Sequence, residues 1–251
     1  MCGELIELPT GATLHFEEKG EGEPAVVVHG LLGTARDELG GVIDWLSESY
    51  RVFGLTLRGY GSSLPKPRRF PVDFYYRDAE DVAAFLDARQ LDRVHYLGFS
   101  DGGEIGLILG GKHPDRFRSI SVWGAIGFLG PAVGKEIRKY YPATWVTEEV
   151  KARHGIEDPN PLIKEWVEAI VSMVEAGGDI SLHLADRIQA PLLVMLGETD
   201  YLNPPEYARM LVERAARARL EMFPCGHEIH DQQPERFRRV VGEFLNSPAG
   251  S

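Results

Sequence analysis

The chain has 251 residues, 43% of them hydrophobic and 26% charged. That is enough to bury a substantial core in one large domain or a core with an insertion, and it excludes a disordered or low-complexity protein. A formal net charge of -11 repels polyanions, which argues against nucleic acid or an anionic membrane as main partner and favours neutral or cationic small molecules.

The apolar runs are too short to span a bilayer, and the opening MCGELIELPTG has neither a basic n-region nor an apolar h-region. Two cysteines, Cys2 and Cys225, cannot make a disulfide scaffold, so a cytoplasmic protein is the expectation.

In chain order, ELIEL and ATLHF read as an opening hairpin and AVVVHG as a buried strand. ELGGVIDWLSE reads as a helix and YRVFGLTL as the next strand. From Asp73 the period changes: Tyr75, Ala79, Val82, Ala83 and Leu86 share one helical face, leading to the strand RVHYLGF. A helix follows Ser100 to about His113, and then the strand FRSISVWGA. Strands separated by helices require right-handed crossovers and a mostly parallel sheet covered on both faces, an α/β fold.

Between Ile126 and Arg187 helical segments such as PLIKEWVEAIVSMVEA follow one another without a convincing strand. The expected organisation is therefore a core of residues 1–125 and 188–251 with a helical cap inserted at 126–187. The alternation resumes with PLLVMLGETD, EYARMLVERAA, RLEMFPCG and a last helix whose Phe237, Val240, Val241, Phe244 and Leu245 share a face.

The chemistry concentrates at LGFSDGGEIG, residues 97–106. Gly98, Ser100 and Gly102 match G-x-S-x-G, in which glycines permit a strained strand-to-helix turn that lifts the serine hydroxyl above the sheet. With 28 glycines in 251 residues the triplet alone arises by chance in about one chain in seven, so its context decides. A strand precedes it and a helix follows, as the turn requires.

A serine needs a base oriented by an acid, in the order serine, acid, histidine for this architecture. Asp200 and His227 follow in that order at strand ends on the same sheet edge. Glu198 is the rival acid and His230 the rival base. His227 and His230 also form H-x-x-H, a metal spacing that lacks further ligands, so no metal and no cofactor are expected. Two backbone N–H groups would hold the oxyanion: that of Asp101, and that of Leu31 or of Leu32 in HGLLG.

Taken together these residues resemble the α/β-hydrolase superfamily and, within it, the valacyclovir-hydrolase (biphenyl hydrolase-like) branch. The likeness covers most of the chain through GFSDGG, RGYGSS, FPVDFYYRDAEDV, VWGA, GETDYLNP and GHEIH. It implies Ser100 as nucleophile, Asp200 as acid, His227 as base and Asp101 as the anchor for a substrate α-amino group. Two departures stand out: Thr56 where such hydrolases usually carry aspartate, and a histidine in HGLLG that the nearer branch lacks.

Asp101 poses its own problem, since a carboxylate beside the nucleophile repels a forming oxyanion by several kcal/mol at about 4–6 Å. A cationic substrate group would compensate. The plain alternative is that Asp101 suits the first turn of its helix through the dipole. The expected function is a serine hydrolase of small esters, α-amino acyl esters favoured. A generic carboxylesterase, a C–C bond hydrolase and a slow ligand-sensing module remain alternatives. So does a minor reading of Cys2 as an N-terminal nucleophile. Cys225 reads as a small structural residue.

Overall fold

The computed structural model describes residues 3–247. Its centre is an eight-stranded sheet in the order β1-β2-β4-β3-β5-β6-β7-β8. β1 (Glu4–Glu7) and β2 (Thr13–Lys19) form the expected antiparallel hairpin, with Glu4 opposite Phe16, and β2 runs antiparallel to β4. β3 (Pro24–Val28), β4 (Arg51–Thr56), β5 (Val94–Phe99), β6 (Phe117–Trp123), β7 (Leu192–Gly197) and β8 (Ala218–Phe223) are all parallel. The fold is thus an α/β fold with a mostly parallel sheet flanked by helices.

Helix α1 (Ala35–Leu46) joins β3 to β4, and α2 (Phe74–Ala88) joins β4 to β5. α1 begins three residues earlier than the apolar pattern suggests. Thr34 caps it, its hydroxyl oxygen accepting the N–H of Asp37, so the polar first turn is helical without an apolar period. α3 (Asp101–Lys112) follows β5.

Between β6 and β7 lie α4 (Val133–Ile137), α5 (Glu148–His154), α6 (Asn160–Glu175) and a 3-10 turn at Leu182–Arg187. α6 buries Leu162, Ile163, Trp166, Val167 and Ile170 along one stripe, and this burial rather than propensity holds the segment down. Its two ends meet at Gly127, whose carbonyl accepts the N–H groups of Ile180, Ser181 and Leu182. The chain finishes with α7 (Pro205–Arg214), the short α8 (Ile229–Gln232) and α9 (Pro234–Asn246). No helix among the described residues is long and apolar enough to cross a membrane.

Two apolar layers sandwich the sheet. One gathers Val26, Val28, Tyr96, Ile108 and Val122 with α2, α3 and the inserted helices; the other gathers Val27, Leu97, Trp123 and Met195 with α1 and α9. Alternate residues of the central strands feed opposite layers, as the two-residue strand period requires. The chain leaves β3 toward one edge of the sheet and later reaches β5 on its other side. The loops after β3 and β5 therefore diverge and open a crevice at their carboxyl ends.

Candidate active site

Ser100 sits at this crevice with φ 51° and ψ -116°, a sparsely populated backbone that costs a non-glycine residue about 1–3 kcal/mol. The turn closes because Gly102 has no side chain: a Cβ there would lie 2.3 Å from the carbonyl oxygen of Val28. α3 can then start directly against the end of β3.

The loop after β8 brings His227 over the serine, with Nε2 3.0 Å from Ser100 Oγ. Nδ1 of the same ring lies 2.7 Å from Asp200 Oδ2, in the loop after β7. Gly124 makes room for this ring, since a Cβ there would fall 2.6 Å from His227 Cε1. Asp200 is buried, and it also accepts the Asn203 amide at 2.9 Å and the Leu202 N–H at 3.1 Å. Burial pushes the Asp200 pKa up, but the hydrogen bonds and charge of its partners outweigh it and hold the carboxyl below its ordinary value. Burial likewise opposes charge on His227, yet the Asp200 bond and charge prevail and raise the imidazole above 6.5.

The rivals occupy other places. Glu198 is exposed, and no hydrogen bond joins its carboxylate to His227. His230 accepts the indole N–H of buried Trp123 at 3.0 Å and packs edge-on against Phe99, 4.8 Å between centroids. The two histidines of H-x-x-H are thus committed to different partners, and no group of three metal-ligating side chains occurs among the described residues.

Half-buried Cys225 has its pKa raised by burial, away from thiolate reactivity. Cys2 lies outside the described residues.

The HGLLG loop lies beside the serine: a Cβ on Gly30 would be 2.9 Å from Ser100 Cβ. Neither the N–H of Leu31 nor that of Asp101 meets an acceptor among the described residues. His29 is structural. Its Nε2 accepts the Leu57 N–H at 2.9 Å, which leaves Nδ1–H to donate to the Gly30 carbonyl at 2.7 Å, and burial drives its pKa down to about 3. Thr56, in the place of the usual aspartate, accepts the Ala35 N–H at 3.3 Å and ties α1 to β4.

Three supports of this site carry no local sequence signal. Glu38 accepts the Gly30 N–H at 2.6 Å, and its carboxyl is pushed up to about 7, chiefly by burial. His154, at the end of α5, accepts the Gly61 N–H at 2.9 Å and donates to the Leu32 carbonyl at 2.9 Å, locking the inserted helices onto HGLLG. Tyr75 donates to Asp101 Oδ1 at 2.8 Å.

The cleft above Ser100 is apolar on the side of the inserted helices, with Val133, Ile137, Trp166 and Ile170, and polar on its floor, with Tyr75, Asp101 and Glu104. Asp101 is buried, its Oδ2 has no donor among the described residues, and burial raises its pKa to about 6. The arrangement can deliver a proton-relayed serine oxygen to a carbonyl next to two free N–H groups, with the Asp101 carboxylate lining the same cleft.

Comparisons with known proteins agree with this architecture. The model of the alpha/beta hydrolase fold matches residues 24–145, a span that includes Ser100. The chain is 32% identical to serine hydrolase BPHL of Mus musculus over 94% of this chain and 84% of that protein. It is 26% identical to 2-hydroxy-6-oxo-2,4-heptadienoate hydrolase of Pseudomonas putida, over 97% and 96% of the two chains. Among solved structures, the enol-lactonase from Burkholderia xenovorans LB400 superposes with a TM-score of 0.78 at 21% identity, covering 97% of this chain and 100% of the other. On this fold, this site and these likenesses, the chain belongs to the α/β-hydrolase fold family.

Proposed function

We propose that the protein is a serine hydrolase that cleaves small carboxylic esters through an acyl-enzyme, with α-amino acyl esters as favoured substrates and residues 126–187 as a cap over the cleft. The observation that carries the reading is the continuous relay from Ser100 through His227 to Asp200 beside a buried carboxylate with an unpartnered oxygen. His227 Nε2 takes the Ser100 proton as Oγ attacks the ester carbonyl. The N–H groups of Leu31 and Asp101 stabilise the oxyanion. Collapse expels the alcohol, which receives the proton from His227, and a water activated by the same ring releases the acid.

Asp101 gives the reading its substrate preference. A carboxylate that would repel the oxyanion is neutralised by an α-ammonium, which also places the scissile carbonyl over Ser100. The relatives include a hydrolase whose named substrate is a dienoate. Here the floor of the cleft carries Asp101, whose buried Oδ2 is unpartnered among the described residues, which disfavours an anionic substrate and favours a cationic one. The test is turnover of an amino acid ester against p-nitrophenyl acetate. Preference for the amino acid ester supports the reading, equal turnover selects a carboxylesterase without amine preference, and slow turnover of both selects a ligand-sensing module or a hydrolase of C–C bonds.

A further inference from the structure

Asp101 and Glu104 stand one helical turn apart on the cleft floor, and their hydrogen bonding differs. Glu104 is saturated, accepting the N–H of Ile126 at 2.9 Å and of Gly127 at 3.1 Å. Asp101 is half satisfied: Oδ1 accepts the Tyr75 hydroxyl at 2.8 Å, and buried Oδ2 has no donor among the described residues.

Tyr75 reaches Asp101 from a different helix, 26 positions earlier. Its ring lies 4.0 Å, centroid to centroid, from that of Phe74, and it is buried itself. Burial holds the phenol well above its ordinary pKa, so it acts only as a neutral hydroxyl. A hydroxyl fixed in this way restrains the rotation of the carboxylate and determines which oxygen is left for a ligand.

We propose that Tyr75 is the positioning residue of the amine subsite: by engaging Oδ1 of Asp101 it leaves Oδ2 as a fixed single-point acceptor for a primary ammonium on the acyl group. The inference rests on the reading of Asp101 as amine anchor. It also has a pH signature. The groups that act on the Asp101 charge are Tyr60 and Arg68 before α2, Tyr75 and Asp78 on α2, Glu104 on α3, Glu38 on α1 and His227 after β8. Burial raises the Asp101 pKa to about 6, while the Tyr75 bond and Arg68 pull it down. Removing the phenol therefore moves it up.

The experiment measures kcat/KM for an alanine ester and for the propionate ester of the same alcohol across pH 5 to 9. Their ratio cancels the titration of His227. In the wild type the ratio falls on the acid side, near pH 6, as Asp101 takes a proton. It falls on the alkaline side, near pH 7.7, as the substrate amine loses one. Tyr75→Phe lowers the plateau ratio by about 10- to 100-fold, mainly through KM, and shifts the acid limb upward. In an Asp101→Asn background the same change lowers the ratio no further.

If Tyr75→Phe keeps the wild-type ratio and acid limb while Asp101→Asn lowers the ratio, the role of Tyr75 is overturned and the anchor stands. An unchanged ratio in Asp101→Asn overturns the anchor and Tyr75 with it. Should Tyr75→Phe not fold, 3-fluorotyrosine at position 75 preserves the shape with a stronger donor. It should move the acid limb to lower pH, and an unmoved limb overturns the proposal.

Discussion

His227 Nδ1 lies 2.7 Å from Asp200 Oδ2, and Asp200 takes two further hydrogen bonds, from Asn203 and from the Leu202 backbone. In the proposed mechanism Asp200 is therefore a fixed anion that sets the imidazole tautomer and stabilises the imidazolium formed during proton transfer. Asp200→Asn should lower kcat by roughly 10³- to 10⁴-fold with little change in KM. If Glu198→Gln gives that loss instead, the acid has been misassigned.

The same pair sets the pH profile. In the proposed relay His227 has to be neutral to accept the Ser100 proton, and its pKa is raised above 6.5 because Asp200 outweighs the cost of burying the charge. Activity toward a plain ester should be full at alkaline pH and fall as pH drops through a midpoint above 6.5. A kcat/KM profile with its midpoint below 6.5 would contradict this electrostatic account.

Glu38 anchors the loop that carries Leu31 through the Gly30 N–H. Glu38→Ala removes that acceptor and frees the loop, so kcat should fall by about tenfold or more while KM holds, since the oxyanion exists only in the transition state. Glu38→Gln keeps an acceptor oxygen and should recover most of the loss. A KM effect alone in Glu38→Ala would place its role in ground-state binding.

His154 joins the inserted helices to both HGLLG and the Gly61 turn. His154→Ala leaves the half-buried Gly61 N–H and the buried Leu32 carbonyl unpaired, which should destabilise the protein by about 1–3 kcal/mol. A thermal melt shifted by several degrees, with a lower kcat, is the expected outcome. An unshifted melt would mean that the insertion docks without this histidine.

Much of this architecture is legible in the chain because strand and helix periods are local. The hairpin, the parallel strands and the turn at Ser100 each leave a pattern within ten residues, and chain order alone brings Asp200 and His227 to the same sheet edge. What escapes is non-local or polar. Glu38, His154 and Tyr75 act on partners 8, 122 and 26 positions away, and nothing around any of them marks the pairing. The start of α1 escapes for a related reason: a capping threonine and two acidic residues carry no apolar period.

The most direct test of the account is to trap the acyl group. A fast acid quench of the wild type during turnover of an aminoacyl ester, followed by peptide mass mapping, should place one acyl increment on Ser100. Ser100→Ala should show no increment and lose turnover by several orders of magnitude while keeping its melting transition. An increment on another residue, or near wild-type turnover in Ser100→Ala, would contradict the serine mechanism.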